Sequence, residues 1–329
     1  MLNTFSNTSP EIISIMELVD TYVRWSEGQK TRSYEHYHPS EFGKCLRASQ
    51  YKRYADQGII PMSENNIDGR SYRLFQKGHN MQYRWEGYFL AMGVLRGVWK
   101  CSNTACKKVY GMEDKLGIFK PNVCECGNEH FWYKEVSVED KKLNMKGNVD
   151  LILDFSHFDE AMFGDKITKT FNIDVLPKTP IVVDMKTINE RGFDNLNKYN
   201  KPPGLGYQVQ LTIYANLLDV EYGILIYECK NDSRVQPYKI PRNENTWFKL
   251  IQRQAEQLDE MTRIEKDGKK LHLLPPPRPK SKSCYDCRGY PSKGIPGCPF
   301  KQICHASGIW KDANFDAKRK KFYGFLLNS

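Results

Sequence analysis

The stretch IVVDMKT, residues 181–187, decides the fold because it combines a buried strand with two charged side chains. Its first three residues are β-branched, which favours a strand in the core of a sheet. Asp184 and Lys186 follow at a spacing of two, so on a strand both side chains lie on one face. The stretch therefore predicts a carboxylate beside an ammonium at the end of a buried strand. A salt bridge at a strand terminus would show the same pattern, so the rest of the sequence must decide between structure and chemistry.

Composition limits the classes of protein to be considered. The chain has 329 residues, of which 27% are charged and 40% hydrophobic, as expected of a soluble globular protein. No apolar run approaches the ~20 residues that span a bilayer, and the first residues lack the basic start of a signal peptide. We therefore expect a cytoplasmic protein without a membrane segment. The formal net charge of +10 favours a polyanionic partner, above all nucleic acid, although many basic proteins bind none.

Two basic stretches could contact such a partner. They are RPKSK at 278–282 and KRKKFYGF at 318–325, and the second interleaves cations with aromatic rings. This mixture could hold phosphates and stack on bases. A solvated C-terminal helix or tail would have the same composition, and the sequence leaves both readings open.

Eight of the ten cysteines form two groups, which in a cytosolic chain favours metal binding over disulfides. The first group combines CSNTAC at 101–106 with CECG at 124–127, two turns whose thiolates could converge on a structural zinc. Its members are Cys101, Cys106, Cys124 and Cys126. His130 is an alternative ligand, and unliganded thiols are the plain alternative. The expected role is to stabilise an inserted hairpin that is too small to hold itself together; contact with DNA is an alternative role that no sequence feature supports.

The second group lies in a Gly- and Pro-rich loop after the proline-rich stretch at 273–283. Its members are Cys284, Cys287, Cys298 and Cys304. The loop has the composition of a metal site, for which a second zinc is one reading. A further cysteine far upstream, Cys45, provides another.

Short motifs along the chain follow one another in a fixed order. They are P-S…C-x-R…Y (Pro39, Ser40, Cys45, Arg47, Tyr51), G-H near a helix start (Gly78, His79), G-x-x-D (Gly147, Asp150), D-x-K (Asp184, Lys186), Q-x-x-x-Y (Gln210, Tyr214) and the closing cysteines. In this order the chain resembles the RecB-type PD-(D/E)XK nucleases, in the branch that carries an iron–sulphur cluster. That branch includes the AddB helicase-nuclease subunit and the CRISPR-associated Cas exonucleases, with relatives encoded by phages. The resemblance extends from about residue 38 to residue 304.

The resemblance implies an α/β fold with a restriction-endonuclease-like core, that is, a mixed central sheet flanked by helices. The zinc-ribbon hairpin would be inserted in this core, and an iron–sulphur cluster would clasp its termini. The expected regions are a helical region with the first cluster cysteine (1–100), the ribbon (101–135), the nuclease core (136–270), and the cysteine loop with the basic tail (271–329).

The resemblance also implies roles for single residues. Mg²⁺ or Mn²⁺ would be held by His79, Asp150, Asp184 and the backbone carbonyl of Met185, with Lys186 acting on the attacking water and Gln210 and Tyr214 orienting Lys186 or the phosphate. Glu86 lies two helical turns beyond His79 and is a weaker candidate, while Asp154 is expected to face solvent. Cys45 would hold a [4Fe–4S] cluster with three of the four closing cysteines, and either Cys284 or Cys287 would be spare.

These inferences predict a metal-dependent DNA nuclease, an exonuclease on single-stranded or resected ends in replication or recombination. The alternative is a catalytically silent adaptor that keeps the nuclease fold and binds DNA in a replication, recombination or packaging complex. The sequence contains no G-x-x-x-x-G-K-[ST] motif, so any helicase that works with it must be a separate protein.

Overall fold

The computed structural model describes residues 10–29, 35–42, 45–61, 67–158, 173–199 and 202–266, together with Cys298 and Phe300. The helices are α1 (Pro10–Gly28), α2 (Leu46–Asp56), α3 (Gly69–Ala91), α4 (Glu190–Lys198), α5 (Leu205–Leu218) and α6 (Glu244–Lys266). The strands are β1 (Leu95–Cys101), β2 (Val109–Tyr110), β3 (Ile118–Phe119), β4 (Phe131–Lys134), β5 (Val136–Asp140), β6 (Met145–Val149), β7 (Leu151–Leu153), β8 (Ile181–Ile188), β9 (Tyr222–Cys229) and β10 (Val235–Pro241). Both basic stretches and Cys284, Cys287 and Cys304 lie outside the described residues.

The main sheet is mixed, as expected. Its strand order is β10-β9-β8-β7-β1-β2, and β3 and β4 also pair with β1. The β8–β9 pair is parallel and its two strands are joined through α4 and α5, whereas the other pairs are antiparallel. Strands β5 and β6 form a separate hairpin. The predicted α/β class, a mixed central sheet flanked by helices, is therefore confirmed.

Strand β8 lies in the core, covered by a helix on each face. Val182 belongs to one apolar cluster with Leu211 of α5, while Val183 belongs to another with Met81 of α3. Because side chains alternate along a strand, Asp184 follows Val182 onto the α5 face. The alternation thus determines which helix can contact the carboxylate.

The structure corrects the expected length of this strand. β8 continues to Ile188, so Asp184 lies within the strand and not at its end. On one side β9 pairs with β8 as far as Ile188, whereas pairing with β7 stops at Leu151 and Val183. Asp184 therefore marks the point where β8 loses its β7 neighbour and one edge becomes open.

The expected position of Gly78 and His79 near a helix start is also wrong. Helix α3 begins at Gly69, where the side chain of Asp68 accepts a hydrogen bond from the Ser71 N–H at 2.7 Å. An aspartate that satisfies a free N–H of the first turn is a strong N-cap. His79 consequently lies in the middle of a long helix, with its side chain on the helix surface.

Gly147 is required where the N-terminal segment crosses β6. A Cβ atom at this position would lie 2.8 Å from Cδ of Pro39 and 3.3 Å from Cε1 of Tyr214. The backbone of Tyr37 also bonds to that of Asn144 and Lys146. The early P-S motif and the G-x-x-D motif are thus in direct contact in the fold.

The segment that begins at Glu244 forms α6, and the segment that carries the Q-x-x-x-Y motif forms α5. Within the described ranges, no helix is both long enough and apolar enough to cross a membrane.

Candidate functional site

The lysine of the D-x-K motif lies between two carboxylates. Nζ of Lys186 is 2.7 Å from Oδ2 of Asp184 and 3.8 Å from Oδ2 of Asp150. It also donates a hydrogen bond to the carbonyl of Met185 at 3.2 Å. The structure therefore brings three predicted catalytic side chains and the predicted backbone ligand together at the open edge of β8.

Asp150 is held from two sides. Its Oδ2 accepts a hydrogen bond from the Met185 N–H at 3.3 Å. This N–H has no partner in β7, because the pairing between β7 and β8 ends at Val183. Its carbonyl accepts a hydrogen bond from the Tyr133 hydroxyl at 3.0 Å. Tyr133 belongs to β4, so the strand that returns from the ribbon helps to position this residue.

The Q-x-x-x-Y residues contact Asp184. Nε2 of Gln210 donates to Oδ1 of Asp184 at 3.2 Å and lies 3.4 Å from the Tyr214 hydroxyl. That hydroxyl donates to the carbonyl of Asn148 at 2.7 Å. Helix α5 thus fixes the orientation of the Asp184 carboxylate, and the proposed action of Gln210 and Tyr214 on Lys186 or a phosphate remains a prediction.

Burial gives Asp184 unusual electrostatics. Its residue exposure is 1%, and burial, followed by the charge of Asp150, raises its pKa to about 7 against the opposing effect of Lys186. Burial opposes the charge on Lys186, but Asp184 and Asp150 more than offset this, so the lysine pKa is raised. Oδ2 of Asp184 accepts no hydrogen bond of regular geometry. A buried carboxylate with an unused lone pair, beside a second carboxylate, favours a bound cation.

A cleft of about 410 Å³ opens on the α3 side of this edge. Its lining includes His79, Gln82 and Glu86 from α3 and Glu135 just after β4. Nε2 of Gln82 donates to Oε1 of both glutamates, at 3.1 Å each. Glu135 belongs to none of the motifs, so sequence reasoning did not identify it; only its position after the ribbon strand would have indicated it.

The glutamates of this cleft are coupled to the D-x-K site by charge. Burial raises the pKa of Glu86 to about 7, and Glu135 and Asp150 add to the shift. Burial and then Asp150 likewise raise the pKa of Glu135, against the opposing effects of Gln82, His79 and Lys186. The charge of Asp150 therefore influences the protonation of both glutamates in the cleft.

The metal ligands implied by the resemblance are only partly assembled. Among the described residues, the four ribbon cysteines are the one group of three or more ligand side chains whose ligand atoms all lie within 4.8 Å of one another. His79 reaches the same cleft, but it does not form such a group with Asp150 and Asp184. The two carboxylates and the Met185 carbonyl still supply the hard oxygen donors that Mg²⁺ and Mn²⁺ prefer.

The ribbon cysteines have the geometry of a tetrahedral metal site. Sγ of Cys101 lies 3.6 Å from Sγ of Cys126, and Sγ of Cys106 lies 3.7 Å from Sγ of Cys124. A tetrahedron with Zn–S bonds of about 2.3 Å has edges of about 3.8 Å. His130 is outside the group, and its carbonyl instead accepts a hydrogen bond from the Ser102 N–H. The four cysteines can therefore hold a metal ion.

A second layer of contacts supports this group. The Tyr110 hydroxyl lies 3.2 Å from Sγ of Cys124 and accepts a hydrogen bond from the Glu125 N–H. A backbone hydrogen bond from Cys126, followed by the Tyr110 contact, lowers the pKa of the Cys124 thiol to about 6. A thiol with a lowered pKa provides the thiolate that metal ligation requires.

The predicted iron–sulphur ligands lie only partly within the described residues. Cys45 is buried at the start of α2, and Cys298 packs against the core cluster that contains Tyr51 and Phe300. The rings of Tyr51 and Phe300 are 5.5 Å apart. The helix that follows Cys45 therefore packs against Phe300, two residues beyond Cys298. The other three cysteines of the set lie outside the described ranges.

Asp154 does not face solvent, so that expectation is wrong. The residue is 6% exposed, and its Oδ2 lies 3.0 Å from Nη1 of Arg96 on β1. The Arg96 guanidinium and the Ser156 backbone hydrogen bond outweigh burial and lower its pKa. Strand β1 covers this end of β7 and supplies the partner.

Comparisons with known proteins give weak likenesses only. No family model and no curated protein matches this chain. The solved structure of SSO0001 is similar at 17% identity over 89% of this chain and 97% of that chain, with a TM-score of 0.37. An alkaline exonuclease (LHK-Exo) from Laribacter hongkongensis is similar at 13% identity over 42% of this chain and 63% of that chain, with a TM-score of 0.29. Function is therefore argued from the geometry of the site.

Proposed function

We propose that this chain is a metal-dependent DNA nuclease that hydrolyses phosphodiester bonds. Its substrate would be single-stranded or resected ends in replication or recombination, where it would act as an exonuclease. The observation that carries the proposal is the convergence of Asp150, Asp184 and Lys186 at the open edge of β8. A salt bridge alone would explain one carboxylate beside the lysine. It leaves unexplained the second carboxylate, Asp150, beside the same lysine.

The donor set fits a divalent cation. Asp150, Asp184 and the carbonyl of Met185 would hold Mg²⁺ or Mn²⁺, with His79 approaching from α3. When bound, the metal would polarise the scissile phosphate and lower the pKa of the attacking water. Its charge would also favour the ionised form of Asp184, offsetting the effect of burial.

The protein's own side chains would position the reacting groups and offset negative charge on the phosphate. Lys186 is partly exposed and carries its charge at neutral pH, so it can orient the attacking water and offset negative charge that develops on the phosphate. Gln210 would hold the Asp184 carboxylate in one orientation through its amide hydrogen bond. Tyr133 would do the same for the backbone at Asp150.

Two further metal centres belong to the proposal. The four ribbon cysteines would hold a structural zinc, whose tetrahedral geometry the Sγ distances match. Cys45 and three of the closing cysteines would hold a [4Fe–4S] cluster, as implied by the resemblance to the iron–sulphur branch of RecB-type nucleases. In this arrangement 1–100 and 271–329 flank the ribbon at 101–135 and the nuclease core at 136–270.

End-labelled single-stranded DNA provides the decisive test. With Mg²⁺ or Mn²⁺ the protein should shorten the labelled strand. Asp184→Ala and Lys186→Ala should each reduce the cleavage rate by roughly 10²–10³-fold or more. Both variants should keep most of their DNA affinity, because binding is spread over a basic surface. Asp174→Ala, an exposed aspartate near the start of β8, is the matched control and should cleave normally.

The same experiment separates the two classes of function. Binding without cleavage in either metal would favour the silent adaptor over the nuclease. If Asp184→Ala and Lys186→Ala lost binding and cleavage in equal proportion, the catalytic roles of both residues would be refuted.

A further inference from the structure

The ribbon presents a mixed aromatic and cationic face on its outer side. Strand β1 pairs with β2 and β4, and Lys100 lies opposite both Val109 and Trp132. Lys134 lies opposite Val98 in the same register. Directly opposite residues of antiparallel strands place their side chains on one face. These five residues define the outer ribbon face.

The outer ribbon face is exposed at its centre. Trp132 is 65% exposed, and Lys100 and Lys134 are also exposed. The opposite face of the same strands is packed, with Trp99 fully buried against the ring of Tyr133. Trp99 and Tyr133 belong to the core between α3 and the main sheet, so Trp132 lies on the side of these strands that faces away from that core.

We propose that the outer ribbon face binds a single strand of DNA that leads into the catalytic site. Trp132 would stack on an unpaired base, because an exposed indole offers a flat surface that accepts any base. Lys100 and Lys134 would contact the phosphates on either side of that base. Both charged side chains of this face are cationic, which complements a polyanion. The proposal rests on the nuclease function and names the form of DNA that the site receives.

Neighbouring residues of β4 connect the outer ribbon face to the D-x-K site. Lys134 also lines the cleft that contains His79 and Glu86. The preceding residue, Tyr133, points to the other face and donates its hydroxyl hydrogen bond to the carbonyl of Asp150. A strand held on the outer ribbon face would therefore enter the cleft beside the D-x-K site.

The acidic surface on the other side of Lys134 supports this direction. A second cleft of about 480 Å³ carries four carboxylates and two lysines in its lining, namely Glu113, Asp114, Glu135, Glu139, Lys115 and Lys134. Phosphates would be repelled there, since no proposed metal offsets its charge. The D-x-K cleft is the favourable route for a polyanion because a divalent cation would neutralise its carboxylates.

Fluorescence anisotropy with a labelled single-stranded oligodeoxynucleotide tests the proposal, with every variant made in the Lys186→Ala background so that no cleavage interferes. Trp132→Ala should weaken binding about 5- to 150-fold, which corresponds to the loss of one base–aromatic stack. Trp132→Phe should restore most of the affinity. Trp25→Ala is the matched control, because this tryptophan is 61% exposed on α1, and it should leave the affinity unchanged.

The lysines are tested by salt dependence. Lys100→Gln and Lys134→Gln should each reduce the slope of log K against log salt by about 0.7, the value for one phosphate contact on a single strand. Zinc content should equal that of the unsubstituted protein, which shows that the ribbon is intact. If Trp132→Ala loses zinc, the two lysine variants decide the question.

The proposal is overturned if Trp132→Ala binds as well as Trp25→Ala, or if neither lysine variant changes the salt slope. An equal loss of duplex and single-strand affinity in Trp132→Ala would also overturn it, since stacking needs an unpaired base. These outcomes do not depend on catalysis. A protein that binds through this face but cleaves nothing would leave the DNA-binding face intact and refute only the nuclease function.

Discussion

At the scale of single residues, Glu86 links the cleft of the candidate site to the pH dependence of stability. Its carboxyl is half-buried beside Glu135, and burial raises its pKa from 4.5 to about 7. An acid with a higher pKa in the folded chain binds more protons there than in the unfolded chain. Stability must therefore fall as the pH rises from 4.5 to about 7.

Glu86→Gln should remove this pH dependence. We expect the variant to match the unsubstituted protein near pH 4 and to be more stable by about 1 kcal/mol at pH 8, a value discounted for partial exposure. Melting temperatures at both pH values, without added Mg²⁺ or Mn²⁺, measure the difference. Glu17→Gln on the exposed side of α1 is the control. Parallel pH curves for Glu86→Gln and the unsubstituted protein would contradict the assigned pKa.

Gly147 supports a second prediction at this scale. Alanine there would push Cβ against the Pro39 ring, which cannot rotate away, and should destabilise the fold by about 1–3 kcal/mol. Gly87→Ala in α3 is the matched control, because a Cβ there meets no atom within 4 Å. It should stabilise by up to about 1 kcal/mol through helix propensity. Thermal unfolding of both variants checks the pair, and equal melting temperatures would show that Pro39 can yield.

The candidate site shows what could be predicted residue by residue. The pairing of Asp184 with Lys186 follows from strand alternation alone, and Asp150 follows from the ordered motifs. Glu135 could not be found this way, because its place in the cleft depends on how the ribbon returns to β1 through β4. The hydrogen bond from Gln210 to Asp184 also depends on packing, namely that of α5 on β8.

At the scale of elements, the ribbon is joined to the candidate site through β4. This strand begins shortly after Cys126, and its Tyr133 bonds to the carbonyl of Asp150. A small unit that is folded by its metal should lose order when a ligand is removed. Loss of metal from the ribbon should therefore disturb the position of Asp150 at the edge of β8.

Cys124→Ser should lower the zinc content by about one ion per chain and slow DNA cleavage. Limited proteolysis should show new cuts within 101–126, since the ribbon loses its main support. Metal analysis, cleavage rate and proteolysis are measured beside Cys229→Ala, a buried cysteine of β9 outside the group. Unchanged zinc in Cys124→Ser would refute the assignment of the four thiols.

Element types could be predicted from the sequence more readily than element boundaries. The apolar run at 181–183 correctly indicated the strand β8. The end of β8 could not be read from the sequence, since β9 extends the strand beyond the point where β7 stops pairing. The start of α3 was also missed, because the Asp68 cap lies upstream of the G-H motif.

At the scale of the whole molecule, the chain brings its early and late segments together. Phe300 packs on Tyr51 of α2, and Nη1 of Arg253 on α6 donates to the carbonyl of Phe42 at 3.3 Å. In sequence, Cys45 lies between Phe42 and Tyr51, and Cys298 lies two residues before Phe300. A covalent or metal link at this place would close a loop that contains most of the chain.

The proposed [4Fe–4S] cluster makes such a link, and Cys45→Ala tests it. Closing so long a loop restricts the unfolded chain, so loss of the cluster should destabilise the protein by several kcal/mol, roughly as for a long-loop cross-link. Anaerobically purified protein should be brown and contain iron, and Cys45→Ala should lose both the colour and the iron and melt at a lower temperature. Cys229→Ala should keep the colour and the iron, and Lys186→Ala should keep both while losing only cleavage.

A colourless protein with zinc in the closing loop and a harmless Cys45→Ala would refute the cluster. The nuclease proposal would then rest on Asp150, Asp184 and Lys186 alone.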